Sequence, residues 1–189
     1  MATQTTGLTS FTSALEYGGA RPSLFEFKVS ATPTGVSATL SDVHLYCNVA
    51  EIPPLTLTPI ERQYFGRTVK IPGDLVFADL TTTIINTEKF NVRNELEKWM
   101  EHINGTISNE SQADADFGTG TAQLVHYQKN GTSTMTYEFV ECWPTAISEI
   151  ALSYDTASDI EQFDVTWAYN YYTFTGGTAP VTAGNAIQG

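Results

Sequence analysis

From Ser133 the chain alternates. In STMTYEFVEC, Thr134, Thr136, Glu138, Val140 and Cys142 interleave with Met135, Tyr137, Phe139 and Glu141. A β-branched and aromatic run of period two predicts a strand lying on an apolar layer. Trp143-Pro144 is expected to end it, because proline brings no N–H to a ladder and restricts its predecessor. After a polar gap at 156–159, Phe163, Val165, Trp167, Tyr169 and Tyr171 recur at every second position. The strand they predict has one almost wholly aromatic and apolar face, which must be buried against another layer or another subunit.

The earlier half reads the same way. SLFEFKVS (23–30) predicts a first strand, and VHLYCNVAEIP (43–53) a second, with Val43, Leu45, Cys47 and Val49 on one face. Residues 55–71, flanked by prolines and rich in threonine, predict extended backbone folded into a hairpin at Gly66. Pro72-Gly73-Asp74 reads as a turn, after which Val76, Leu80, Thr82 and Ile84 resume strand character. The period then changes. Phe90, Leu96, Trp99, Met100 and Ile103 fit a helix from about 88 to 103, capped by Thr87 and stopped by a left-handed Asn104-Gly105. Asn130-Gly131 predicts a tight hairpin between AQLVHYQK and TSTMTYEFVEC. Residues 1–20 and 175–189 carry little core-forming content and are expected to be a flexible N-terminal arm and a flexible C-terminal tail, with one helical turn possible at Phe11 and Leu15.

Composition agrees with a mainly β chain. Its 189 residues suffice for one domain with a sizeable core, and only 16% are charged. No run approaches a membrane span and the start MATQTTGLTS lacks the parts of a signal peptide, so the chain is expected to be soluble, cytoplasmic at synthesis and without a membrane partner. Cys47 and Cys142 are far apart and read as reduced structural thiols; His44, His102 and His126 are equally scattered. Asp114 and Asp116 in DADFGTG suggest calcium, but the closing glutamate of such a loop is missing. No nucleophile elbow, zinc, Walker or dinucleotide motif occurs, so neither catalysis nor a cofactor or metal is expected. A carbohydrate-binding β-sandwich module, using exposed Trp and Tyr as platforms, is the alternative that composition leaves open.

Charge narrows the choice. The formal net charge is −12, and residues 99–189 hold Lys129 alone against eleven acidic groups. Such a surface repels nucleic acid, since binding depends on basic groups that neutralise phosphates. It remains compatible with a wall along which DNA passes without sticking. Arg62, Arg67 and Lys70 form the chain's basic concentration, on the hairpin. Besides a solvated role, they can reach a negatively charged neighbour such as the acidic half of another copy, where complementary charge fixes register.

Several pieces, in order, carry a resemblance. They are Ala20-Arg21-Pro22 with Leu24-Phe25, GDLVFADL from Gly73 to Leu80 before a Thr/Ile strand ending at Asn86, and Asn91 through Trp99. Trp143-Pro144-Thr145, EIALSYD (149–155) and IEQFDVT (160–166) follow. Over residues 18–173 the chain resembles the tail tube proteins of contractile-tailed, T4-like bacteriophages. The resemblance implies a twisted antiparallel β-sandwich or barrel-like tail tube domain over 21–174, with one flanking helix and an extended hairpin. It implies hexameric rings stacked into a tube that conducts genomic DNA without binding it specifically. The partners would be further copies of itself and the tail sheath, baseplate and tail terminator proteins, in a virion tail assembled in the host cytoplasm. On that reading Arg62, Arg67 and Lys70 are expected at the interface between copies. Asp114, Asp116, Glu138, Glu141, Asp155, Asp159 and Glu161 are the candidates to line the lumen.

Overall fold

The computed structural model describes residues 11–13, 15, 18–33, 35–36, 40, 42–111, 117–156 and 159–176. Residues 1–10 of the expected arm (1–20) and 177–189 of the expected tail (175–189) lie outside the described residues, while Thr175 and Gly176, expected in the tail, pair with Thr136 and Met135 as the end of a strand. Within the arm, the Leu15 N–H donates to Phe11 O at 3.0 Å, closing the helical turn that the spacing of the two residues suggested.

Beyond the turn at 11–13 and a single 3-10 turn at Tyr154–Thr156, the described residues form these elements in order: β1 (Phe25–Ala31), α1 (Val43–Tyr46), β2 (Cys47–Ala50), β3 (Leu55–Tyr64), β4 (Arg67–Phe77), β5 (Leu80–Ile85), α2 (Asn91–Ile103), β6 (Gly120–Tyr127), β7 (Ser133–Ile147), β8 (Gln162–Ala168) and β9 (Tyr171–Gly176). All pairings are antiparallel. Seven strands form one folded sheet in the order β1-β6-β7-β8-β5-β2, with β9 also on β7, while β3 and β4 pair only with each other.

Strand β7 makes the fold a sandwich. Its first half pairs with β6 and β9, and its second half, from Trp143, pairs with β8. Between the halves Glu141 has φ 53, a left-handed residue at the corner. Two layers result: β1-β6-β7-β9, called sheet A, and β7-β8-β5-β2, called sheet B. The expected stop at Trp143-Pro144 is corrected, since the strand continues to Ile147 with Pro144 opposite Trp167. Its partner β6 begins at Gly120, opposite Cys142, so beyond that point one side of β7 is an edge, where proline's missing N–H forfeits no ladder bond.

The inner faces carry the alternating residues. Phe27, Leu124 and Phe139 from sheet A meet Leu80, Ile84, Phe163, Val165 and Trp167 from sheet B, all buried. Trp99 of α2 packs edge-on against Trp167, their centroids 5.9 Å apart, and its Nε1 donates to Gly118 O at 2.7 Å. The helix buries Val92, Leu96 and Trp99, whereas Phe90, expected on that stripe, is 44% exposed. It also starts later than the expected 88. Phe90 is left-handed at φ 53, and Thr87 is not the cap, because its hydroxyl is buried without a partner. The chain leaves through Asn104 in extended rather than left-handed backbone.

Two further expectations change. The segment 43–46 is a helical turn rather than strand, with Val43 buried and Leu45 68% exposed. The alternating face at Tyr169 does not reach Tyr171, because the chain bends at Asn170 and Tyr171 opens β9 on sheet A. The Asn130-Gly131 hairpin forms as predicted, with Gly131 at φ 82 and the Thr132 N–H donating to Asn130 Oδ1 at 3.0 Å.

Candidate assembly surface

Among the described residues no layer covers the β3–β4 hairpin. Every residue of β3 is exposed, and its ten residues at about 3.4 Å each carry the hairpin roughly 30 Å from its base. Its tip is a two-residue turn in which Phe65 (φ 45) and Gly66 (φ 76) are both left-handed, the geometry that matches strand twist. Glycine adopts it freely. Phenylalanine does not, yet Phe65 stands 90% exposed with its ring edge-on to Tyr64 at 4.6 Å.

Register sorts the hairpin's side chains onto two faces. Tyr64 pairs with Arg67, Arg62 with Val69 and Ile60 with Ile71 on one; Gln63 with Thr68 and Glu61 with Lys70 on the other. The three expected interface cations therefore separate. Arg62 and Arg67 flank Tyr64 on an apolar face and make no ion pair among the described residues, while Lys70 turns the opposite way and forms an exposed bridge to Glu61 at 3.3 Å. Such an exposed pair adds little stability.

The expected turn at Pro72-Gly73-Asp74 is a bulge within β4. Leu57 pairs with Leu75 and Pro59 with Pro72, so Thr58 alone opposes Gly73 and Asp74. The extra residue resets the alternation, which brings Phe77 beside Tyr169 and Tyr172, with ring centroids at 6.2 and 5.3 Å. That aromatic contact anchors the hairpin's base to the core.

The expected lumen carboxylates do not gather in one patch. Asp114 and Asp116 lie outside the described residues. Glu138 is on the outer face of sheet A, where Gln123 Nε2 donates to it at 3.4 Å. Glu141 sits at the corner of β7 and accepts from Asn170 Nδ2. Asp155 belongs to a single turn, Tyr154–Thr156, in which its N–H donates to Ser153 Oγ at 3.2 Å. Asp159 and Glu161 do come together, in a notch of about 240 Å³ with Ile150 and Ile160 as walls. Asn86 Nδ2 donates to Glu161 Oε2 at 2.9 Å, tying the notch to the end of β5.

Sequence reasoning passed over Asp164. It projects from the outer face of sheet B, where Thr83 Oγ1 donates to it at 2.7 Å, and threonines 81, 145 and 166 share that face. The alternation Phe163, Asp164, Val165, Thr166 was the signal that put it there. None of the sheet B strand segments contains Lys or Arg. Both thiols are held neutral: burial pushes Cys47 and Cys142 up to about 12. Among the described residues no cluster of His, Cys, Asp and Glu suits a metal ion, and no helix is long and apolar enough to cross a membrane.

A two-layer β domain with an uncovered prong describes a subunit that finishes its fold against other subunits. The phage tail tube protein family profile matches residues 20–175. The chain belongs to this family. It is similar to tail tube protein gp19 of Enterobacteria phage T4, 27% identical over 164 residues that cover 85% of this chain and 96% of that protein. The tail tube protein of Serratia phage KSP90 is 26% identical, with 81% and 88% covered. Among solved structures, a chain from the tube-terminating cap of the anti-feeding prophage aligns at a TM-score of 0.63 and 14% identity, covering 94% of this chain and all of that one. A chain from the sheath-tube complex of the PVC extracellular contractile injection system, in its extended state, aligns at 0.57 and 17% identity, covering 92% and 100%. At those identities the likeness is one of fold. Nothing in these relationships supports the carbohydrate-binding alternative, and the tail tube family is a structural one belonging to the virion tail.

Proposed function

We propose that six copies of this tail tube protein close into a ring, that rings stack into a tube inside a contractile sheath, and that the bore conducts genomic DNA without binding it. The observation that carries the reading is the hairpin, which exposes Ile60, Tyr64, Val69 and Ile71 on one face and Leu57 and Leu75 on the other. A strand pair with apolar residues on both faces is not stable alone in water and invites cover from another chain. Arg62 and Arg67, and more weakly Lys70, fix the register of that contact against an acidic neighbour. The unit that builds the tube is residues 21–174. Its partners are further copies of the chain, with the sheath, baseplate and terminator proteins at the outside and the ends, and assembly takes place in the host cytoplasm. Nothing in this role requires catalysis.

The bore wall is the outer face of sheet B. Threonine hydroxyls and Asp164 offer no cation to a phosphate, so DNA passing them meets repulsion and hydration rather than a binding site. Glu138, on the other sheet, then faces outward. Asp159 and Glu161 stand at one end of the sheet B wall.

Negative-stain microscopy of the purified chain over a range of concentrations, with and without tail baseplates as nuclei, tests the reading. Hollow filaments with six-fold end views are expected. Monomers under every condition would reject it.

A further inference from the structure

The hairpin and the acidic notch lie at opposite ends of one strand. The hairpin leaves β2 after Ala50 and enters β5 at Leu80, so its base is at the Leu80 end of β5. The notch lies just before Gln162, which pairs with Ile85, and Glu161 is bonded to Asn86, one residue beyond β5. The two features are thus about 17 Å apart along a six-residue strand, one at each end of sheet B.

Their chemistry is complementary. The prong presents two aromatic rings, Tyr64 and Phe65, between Arg62 and Arg67. The notch presents Asp159 and Glu161 over Ile150 and Ile160, and Ile160 is 68% exposed. Two cations framing an aromatic tip match two carboxylates above an aliphatic floor. The left-handed Phe65 fits this account, because strained exposed residues persist where a contact rewards them.

We infer that the hairpin tip of one copy seats in the Ile150–Asp159–Ile160–Glu161 notch of a copy in the adjoining ring. A contact between different surfaces at opposite ends of a subunit does not close on itself but repeats indefinitely, which makes it an axial joint. The inference rests on the tube reading and adds its seam: the hairpin governs ring stacking and leaves ring closure to other surfaces.

Charge reversal tests it. Arg62→Glu with Arg67→Glu should raise the critical concentration for tubes at least about tenfold while single rings persist, and Asp159→Lys with Glu161→Lys should do the same. All four substitutions in one chain should restore tubes. Mixing preformed rings of the two reversed variants should likewise restore tubes, of alternating rings, because every prong then meets a notch of opposite charge. Glu161 also holds Asn86, so a second measurement is independent of reversal: Phe65→Cys with Ile160→Cys in assembled tubes, treated with a short bis-maleimide. A ladder of covalent oligomers, absent from either single cysteine variant, supports the seam. Normal tubes from either reversed variant, or no ladder from intact tubes, overturns the seam and leaves the tube reading standing. Loss of six-fold rings as well as tubes in both reversed variants would instead make the hairpin a lateral contact and overturn the axial assignment.

Discussion

Thr82 is the one buried hydroxyl on the inner face of sheet B, and Trp167 Nε1 donates to it at 2.9 Å. Both side chains are fully buried, so neither can turn to water. Removing one partner leaves the other unsatisfied, which costs more than the bond itself contributes. Thr82→Val, nearly isosteric, should therefore lower stability by about 1–3 kcal/mol, read as a Tm lower by several degrees in a thermal melt. Adding Trp167→Phe to that background should cost less than Trp167→Phe alone, because the indole no longer has a bond to lose. Strictly additive effects would show that the bond carries no weight. This pair marks what was legible at the residue scale. Thr82 was placed on the strand face with Leu80 and Ile84 by alternation alone, but its partner lies 85 residues away and only the pairing of β5 with β8 brings them together. The site residues suffered more from the same limit. Arg62, Arg67 and Lys70 are close in sequence, yet strand alternation turns Lys70 away; Asp159 and Glu161 meet in a notch that their spacing alone does not define.

At the scale of elements, patterns that a segment carries by itself were readable and those that need a partner strand were not. Phe163 to Trp167, the Asn130-Gly131 turn and the hairpin at Gly66 are local. The bulge at Gly73 is not, since an extra residue exists only relative to the strand opposite. It resembled a turn because Pro72, Gly73 and Asp74 are turn residues. The four-residue helix at 43–46 is shorter than any periodicity can resolve, and a register shift within β2 sets Cys47 opposite Ile84 but Val49, 44% exposed, opposite Thr83, so the two do not share the expected face. The bulge leads to a prediction. A Cβ on Gly73 would lie 2.4 Å from Thr58 O and 2.8 Å from Ile60 Cγ1, so Gly73→Ala must shift the backbone there and disturb how Phe77 meets Tyr169 and Tyr172. The sandwich core is remote from this change. Its Tm should move little, while limited proteolysis within 55–77 accelerates and sedimentable tube is lost. Wild-type tube yield from Gly73→Ala would show that the bulge has no part in aiming the hairpin.

For the whole molecule the question is which surface faces the bore. In the proposed ring each chain brings twelve net negative charges, and close approach of like charge is tolerated only where water or counterions intervene. Sheet B offers threonine hydroxyls and one aspartate on a strand set without Lys or Arg, a surface neutral enough to line a narrow channel and unable to grip phosphate. Sheet A carries Glu26, Lys28 and Glu138 on its outer face, a mixed pattern suited to a surface that meets other proteins. The native thiols make this separable by labelling. Cys142 is buried, and burial holds both thiols near 12, so at pH 7 to 8 they are almost wholly protonated and slow to alkylate. Thr83→Cys would place a reactive thiol on the sheet B face and Glu138→Cys one on sheet A. In free subunits both should react with a small maleimide and with a bulky polyethylene-glycol maleimide. In assembled tubes Thr83→Cys should keep reacting with the small reagent through the open ends and lose at least about tenfold in rate with the large one, while Glu138→Cys stays accessible to both. The opposite result, with Glu138→Cys shielded from the large reagent and Thr83→Cys open, would turn the subunit around and put the carboxylate of sheet A against the DNA.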